Sequence, residues 1–322
     1  MLLLNIVQAL FHLPMGSSSQ VKVSFVKNWY RKYSDSATLK PMDKLTQIAR
    51  QLTRKGDLHL KQHGVKFFHE KARNLLEQAR LHEVYDYQKL IETSLSKKFL
   101  HEQNFKYLEF SDLPITIARG EHCFIDIYFW RRRPTVIHNH HFAGAFQCLS
   151  GNNVDLEFSF TEKKEIGRFH ALGELKLLQE RQLKQGEVVE IAELGQFIHQ
   201  NHHQAELTVN LCFRTHEFKK HNLSNYLFTG LRYEKEPKLI ARVNRLLRFI
   251  DLEAFDFKKV DISLDEAIHL LIQTHYSGSC HPRLLQLRRY LDKMIKEKSD
   301  LSLSKLLKGH DQKFDRIESS YE

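Results

Sequence analysis

The apolar residues of this chain change period twice, and that double change restricts its fold more than any single motif. From Pro41 to about Leu100 they recur at helical spacing, as Leu45, Ile48, Ala49 and Leu52, then Val65, Phe68, Ala72, Leu75, Leu76 and Ala79. Gly56 and Gly64 bracket a predicted turn between two helices. From about Phe105 the period becomes two: the stretches 105–110, 115–117 and 124–130 are rich in aromatic and β-branched residues and read as strands. The same signal runs through 153–160, 188–191, 207–213 and 226–231. After Pro237 helical spacing returns in Leu239, Ile240, Val243, Leu246, Leu247 and Ile250, then from Leu264 to Ile272 and from Leu284 to Ile295.

So many short strands between turn signals predict a closed β-barrel, flanked by helical regions at both ends. The pattern divides the chain into an N-terminal extension (1–40), a helical region (41–100), the barrel (101–232), a C-terminal helical region (233–310) and a frayed tail (311–322). The apolar opening, residues 1–14, lacks a basic leader and a small-residue cleavage site and is too short to span a bilayer, and Met15 offers an alternative start.

Lys and Arg number 49 against 39 Asp and Glu. The excess is spread along helices, with one short run at Arg131-Arg132-Arg133 and no aromatic interleaving, which argues against nucleic acid as the partner. Cys123, Cys148, Cys212 and Cys280 stand far apart with no C-x-x-C spacing, the pattern of a reduced, cytoplasmic protein. No membrane association is expected, and a homodimer is left open.

The chemistry concentrates in Ile137-His138-Asn139-His140-His141, two imidazoles at i and i+2 on a predicted strand and therefore on one face. A second cluster, Ile198-His199-Gln200-Asn201-His202-His203, lies in another predicted strand. Three histidines from two strands make a metal site suited to Fe, Zn, Cu or Ni.

This arrangement resembles the cupin superfamily, and within it the three-histidine thiol dioxygenases of the cysteine dioxygenase type, over roughly residues 105 to 215. The implied fold is a cupin-like double-stranded β-helix. His138 and His140 match the H-x-H of the first cupin motif and Gly151 its closing glycine, whereas the glutamate's place falls to Gly144 or Ala145. The thiol dioxygenases are similar in lacking that carboxylate. The second motif, P-x-G-x-x-H-x-x-x-N, is matched loosely by Gly195 and His199, with His203 where the asparagine falls. His199 is then the third ligand, with His202 or His203 as alternatives.

The cysteine and tyrosine that cross-link beside the iron in many of these enzymes have no counterpart, since the cysteine position reads Ala145 and the strand from Leu207 to Arg214 holds no tyrosine. On the period-two rule Asn210, Cys212 and Arg214 face the cavity, where the family uses serine, histidine and tyrosine. The resemblance implies a mononuclear Fe(2+) centre, with Zn, Ni or Mn as other occupants, and O2-dependent oxidation of a small anionic substrate such as a thiol. By position Arg119 resembles the arginine that holds the substrate's carboxylate in the family, Arg214 is the second choice, and Gln147 is a further substrate contact.

The competing reading is a non-enzymatic ligand-binding or regulatory protein whose helical regions form an interaction or DNA-binding surface. The segment from His275 to His281, with Cys280, sits at a helix, turn, helix break and reads as turn chemistry, without recognisable helix-turn-helix spacing.

Overall fold

The computed structural model describes residues 44–94, 103, 111–132, 134–192, 196–216, 223–250, 256–277 and 282–320. The predicted strand at 105–110, the opening extension, Gly195, Cys280 and His281 lie outside the described residues.

Helices α1 (Lys44–His63) and α2 (Phe68–Ala79), followed by the shorter α3 (Leu81–Val84) and α4 (Tyr87–Ser94), precede eleven strands among the described residues. These are β1 (Leu113–Arg119), β2 (Cys123–Arg131), β3 (Ile137–Asn139), β4 (Gly144–Ser150), β5 (Asn153–Gly167), β6 (His170–Leu183), β7 (Val188–Ile191), β8 (Ile198–His203), β9 (Leu207–Thr215), β10 (Ser224–Tyr226) and β11 (Leu231–Glu234). One sheet has the order β1-β2-β9-β4-β7, and the other closes on itself as β10-β11-β6-β5-β8-β3. Every strand pairing among the described residues is antiparallel. The predicted closed β-barrel is thus present as six antiparallel strands packed with a five-stranded sheet, with helices on both sides of it in sequence.

Alternation assigns the two faces of the five-stranded sheet. Ile125, Ile127 and Phe129 of β2 and Leu211 and Phe213 of β9 join Leu45, Ala49, Phe68 and Leu76 of α1 and α2 in one buried cluster. The residues between them, Tyr128, Trp130 and Cys212, join Phe146 in a second cluster on the opposite face. Both faces are therefore apolar, which is why β2 is buried along eight consecutive positions. Gly56 is not a turn residue: α1 runs through it, and the chain turns at Gly64, whose φ is 66°. A Cβ at residue 56 would lie 2.7 Å from the Phe213 ring and 2.8 Å from Cys123 Sγ, so glycine permits the close helix–sheet approach.

Strand β6 carries no clean alternation in sequence, and β5 extends beyond Phe160 to pair with it along their length. A register shift falls between Glu157 and Phe158, opposite Gln179 and Leu177, and leaves Leu178 as an extra residue. Leu177 and Leu178 are both exposed there, so the period-two pattern is lost.

After the barrel come α5 (Pro237–Ile250), α6 (Leu264–Tyr276), α7 (Pro282–Ser299) and α8 (Leu303–Ser319). Leu270 and Leu271 of α6, Leu287 and Leu291 of α7 and Leu303 of α8 pack with Leu227 and Leu231 of the barrel. A capping box starts α6, with Ser263 Oγ accepting from Glu266 N and the Glu266 carboxylate accepting from Ser263 N. The segment read as a tail from residue 311 is helical to Ser319. Its order follows from contacts absent in a local reading: Phe314 lies 6.4 Å from the His202 ring of β8, and Ile317 packs on the cluster containing Ile137 and Ile198.

Three neutral histidines sit where these helices meet the barrel. His269 of α6 faces His170 of β6, with His170 Nε2 2.8 Å from His269 Nδ1. His310 of α8 stacks on Phe228 and its Nδ1 accepts from Phe228 N at 2.9 Å. Burial pushes His202, His269 and His310 each down to about 4 from the usual 6.5. Their native values lie below the unfolded one, so the stability they support is present above pH 6.5 and is lost as the pH falls toward 4. Each contributes at most about 1.4 kcal/mol per pH unit of that window. Urea unfolding should therefore show a sharp fall in midpoint between pH 6.5 and pH 4. A flat profile would mean that these imidazoles are solvated and that the helices are docked by other contacts.

Candidate metal centre

His138 lies on β3 and His140 follows its end, so the two rings project to one side. His199 of β8 stands directly opposite His138 in the β3–β8 ladder. The three ring centroids are 4.7 to 4.9 Å apart, and one nitrogen from each ring falls within 4.8 Å of the others. All three side chains are buried. Among the described residues this is the one group of three that could hold a metal ion.

Two tautomers follow from the partners. His138 Nδ1 lies 2.8 Å from the Val136 carbonyl, an acceptor, so Nδ1 carries the proton and Nε2 the lone pair. His199 Nδ1 lies 2.7 Å from Asp155 Oδ1, which likewise turns its Nε2 into a donor for a metal. Asp155 is buried on β5, and its other oxygen accepts from Arg181 Nη2 at 3.0 Å. Arg181 also reaches Glu157 at 2.5 Å.

Desolvation pushes His138 down to about 3, with His199 beside it adding to the shift. The same burial holds His140 well below its ordinary value, reinforced by His138 and His199. Both rings are therefore in the neutral form that binds metal.

The donor set fits a divalent ion. His140 Nε2 and His199 Nε2 stand 2.9 Å apart. Two nitrogens each about 2.1 Å from one ion and at right angles to it would be about 3.0 Å apart. A fourth ligand from the first cupin motif is closed off. A Cβ at Gly144 would sit 2.3 Å from the Phe213 carbonyl oxygen, and Ala145 faces the cluster beneath α1 and α2.

The imidazoles open onto a cavity offering about 40 Å³ to the centres of water-sized molecules, walled by Tyr128, Trp130, Phe142, Phe146, Asn210 and Cys212. That is room for an ion and a few small ligand atoms. Asn210 and Cys212 lie where alternation along β9 predicts. Burial raises the Cys212 thiol to about 12, so it is a neutral wall group.

The remaining predicted contacts separate. Arg214 is buried, sandwiched 4.5 Å from both the Phe124 and Phe142 rings, and its Nη2 lies 3.4 Å from Asp126 Oδ2. Asp126 also accepts from Thr116 Oγ1 at 2.7 Å and from the Tyr128 hydroxyl at 2.9 Å. Arg119 is exposed at the end of β1 and lines no part of the cavity. Gln147 is adjacent to the cavity-lining Phe146, so alternation turns it to the opposite face, where its Nε2 donates to the Gly186 carbonyl at 3.0 Å. Neither is placed to touch a substrate in this cavity.

Of the alternative third ligands, His203 stacks on Trp130 at 4.8 Å, and His202 faces the other side of β8, where its Nε2 meets Gln200 Oε1 at 3.0 Å. Sequence reasoning did not single out Asp155 or Arg181. No local signal marks Asp155: it alternates with Val154 and Leu156 as Glu157 does with Leu156 and Phe158, so period two reads it as an ordinary polar face of the strand.

No protein-family model matches the sequence, and no curated protein matches it. Solved structures that match part of the chain include cupin proteins. A cupin-2 domain protein from Shewanella frigidimarina is 14% identical, with 42% of this chain covering 95% of that one at a TM-score of 0.23. A cupin 2 conserved barrel domain protein from Rhodopseudomonas palustris is 11% identical over 43% of this chain and 77% of that one, with a TM-score of 0.23. A hydroquinone dioxygenase is 9% identical over 31% of this chain, which spans 61% of its length, at a TM-score of 0.25. A functional reading rests on the site itself. No helix of the described residues is long and apolar enough to cross a membrane.

Proposed function

We propose that this chain is a mononuclear non-heme iron dioxygenase of the three-histidine cupin type, acting on a small substrate that is anionic where it meets the metal. The observation that carries this reading is the convergence of three buried imidazoles, two of them with tautomers set by Val136 and Asp155. His138, His140 and His199 would hold the ion. When bound, divalent iron supplies the one-electron chemistry that a reaction between dioxygen and an organic substrate requires.

The residues of the chain do the rest. Three neutral ligands leave the ion's charge uncompensated at close range, which favours an anionic head group. Asp155 draws on the His199 N–H, fixing the ring's orientation and raising its basicity. Phe142, Phe146 and Trp130 exclude water from the reacting side, and the small cavity limits the substrate to a few heavy atoms.

A second reading, a ligand sensor, draws support from α8, which lays Phe314 against His202 on the strand that carries His199. Oxygen uptake by the iron-loaded full chain, measured against a panel of small thiols and carboxylic acids, separates the two. Consumption in step with loss of one substrate supports the dioxygenase. Tight binding with no oxygen uptake for any panel member overturns it in favour of the sensor.

A further inference from the structure

On the cavity wall away from the imidazoles, one polar side chain has no hydrogen bond to its acceptor. Asn210 of β9 is 4% exposed and lines the cavity, and its Oδ1 accepts no hydrogen bond. Its neighbours in the ladders are Tyr128 on one side and Cys148 on the other. The Tyr128 hydroxyl is already given to Asp126. A buried carboxamide left unmet in an aromatic wall is destabilising, and such groups persist where a ligand completes them.

The charges around the cavity point the same way. The Arg214 guanidinium is paired with Asp126, Asp155 is held between His199 and Arg181, and Arg119 lies outside. The wall away from the imidazoles thus offers a neutral donor–acceptor group instead of a cation.

Resting on the metal reading above for the head group, we infer that Asn210 is the specificity-determining residue for the far end of the substrate. That end carries a neutral group that both donates and accepts, a hydroxyl or a carboxamide. A hydroxyl satisfies the amide whichever way its oxygen and nitrogen are turned. A carboxylate leaves the amide oxygen unmet, and a methyl leaves both ends unmet. Sites built around a substrate hydroxyl reject the analogue lacking it far more strongly than apolar pockets discriminate by size.

The test is anaerobic titration calorimetry on the full chain, as purified and after iron loading, with metal content measured on each sample. The probes form two series differing only at the far end: mercaptoethanol, propanethiol and mercaptoacetate, then hydracrylate, butyrate and malonate. In at least one series the hydroxyl member should bind at least about tenfold more tightly than its methyl and carboxylate counterparts. In Asn210→Leu the ratio should fall to within about twofold, with metal content unchanged and the ligand-free melting temperature raised by about 2 °C, since an unmet buried amide has been removed.

Asn210→Ala, read the same way, covers a leucine variant that fails to fold. Equal affinities within both series in the wild type, no binding by any probe, or a preference that survives both substitutions overturns the inference. So does a lowered melting temperature in both variants with the preference intact, which marks a structural asparagine. A hydroxyl preference in protein that takes up no metal would sink the iron reading while supporting the role of Asn210.

Discussion

Replacing His138 and His140 by alanine is expected to empty the centre. Protein purified without oxygen should carry about one equivalent of metal per chain, and the double variant less than about a tenth of that. The expectation follows from the geometry. His140 and His199 present nitrogens 2.9 Å apart, His138 supplies the third, and Gly144 and Ala145 leave no carboxylate in the first motif to replace a lost ring. His199 alone is a weak ligand.

Removing two buried rings also leaves a void, so His140→Gln, which keeps most of the volume, belongs beside the double variant. Circular dichroism confirms that each is folded. Metal analysis by mass spectrometry is the deciding measurement: equal content in wild type and double variant would mean that the imidazoles do not bind the ion, and the dioxygenase proposal would fall with them.

The second large effect is expected at Asp155. Asp155→Asn removes the anion that His199 Nδ1 donates to and the partner of Arg181, while Arg181 keeps Glu157. Breaking a buried charged network by changing one member costs about 3 kcal/mol, and loss of a carboxylate behind a metal-bound histidine weakens the metal about 10- to 100-fold. Urea unfolding of the metal-free protein reads the first quantity and competition with a coloured chelator reads the second. A loss of stability with unchanged metal affinity would assign Asp155 to the barrel's architecture alone. A drop in affinity with stability intact would place its whole effect on the orientation and basicity of His199.

The reach of local sequence differs from residue to residue in this molecule. His138 and His140 were legible because strand geometry alone puts i and i+2 on one face. His199 was legible only as a member of a histidine-rich strand, and the β3–β8 register selected it over His202 and His203. Gln147 could not be excluded from sequence: alternation separates Phe146 from Gln147, but only the tertiary structure shows that Phe146 is the one that looks inward. Arg119 depended on where β1 ends relative to the cavity. Strand β6 was invisible because its leucines fall side by side at a bulge, and the last helix because its order comes from Phe314 and Ile317 packing on distant strands.

The sequence by itself determined the order of helical, strand and helical regions, the barrel class, and the residue types able to bind a metal, because hydrophobic period and ligand chemistry are local properties. Only the tertiary structure decided which imidazoles meet, that Asp155 stands behind one of them, and that Arg214 is paired while Arg119 lies outside. Register, sheet closure and the sharing of one buried charge among three side chains depend on residues far apart in the chain. No short window of sequence contains them.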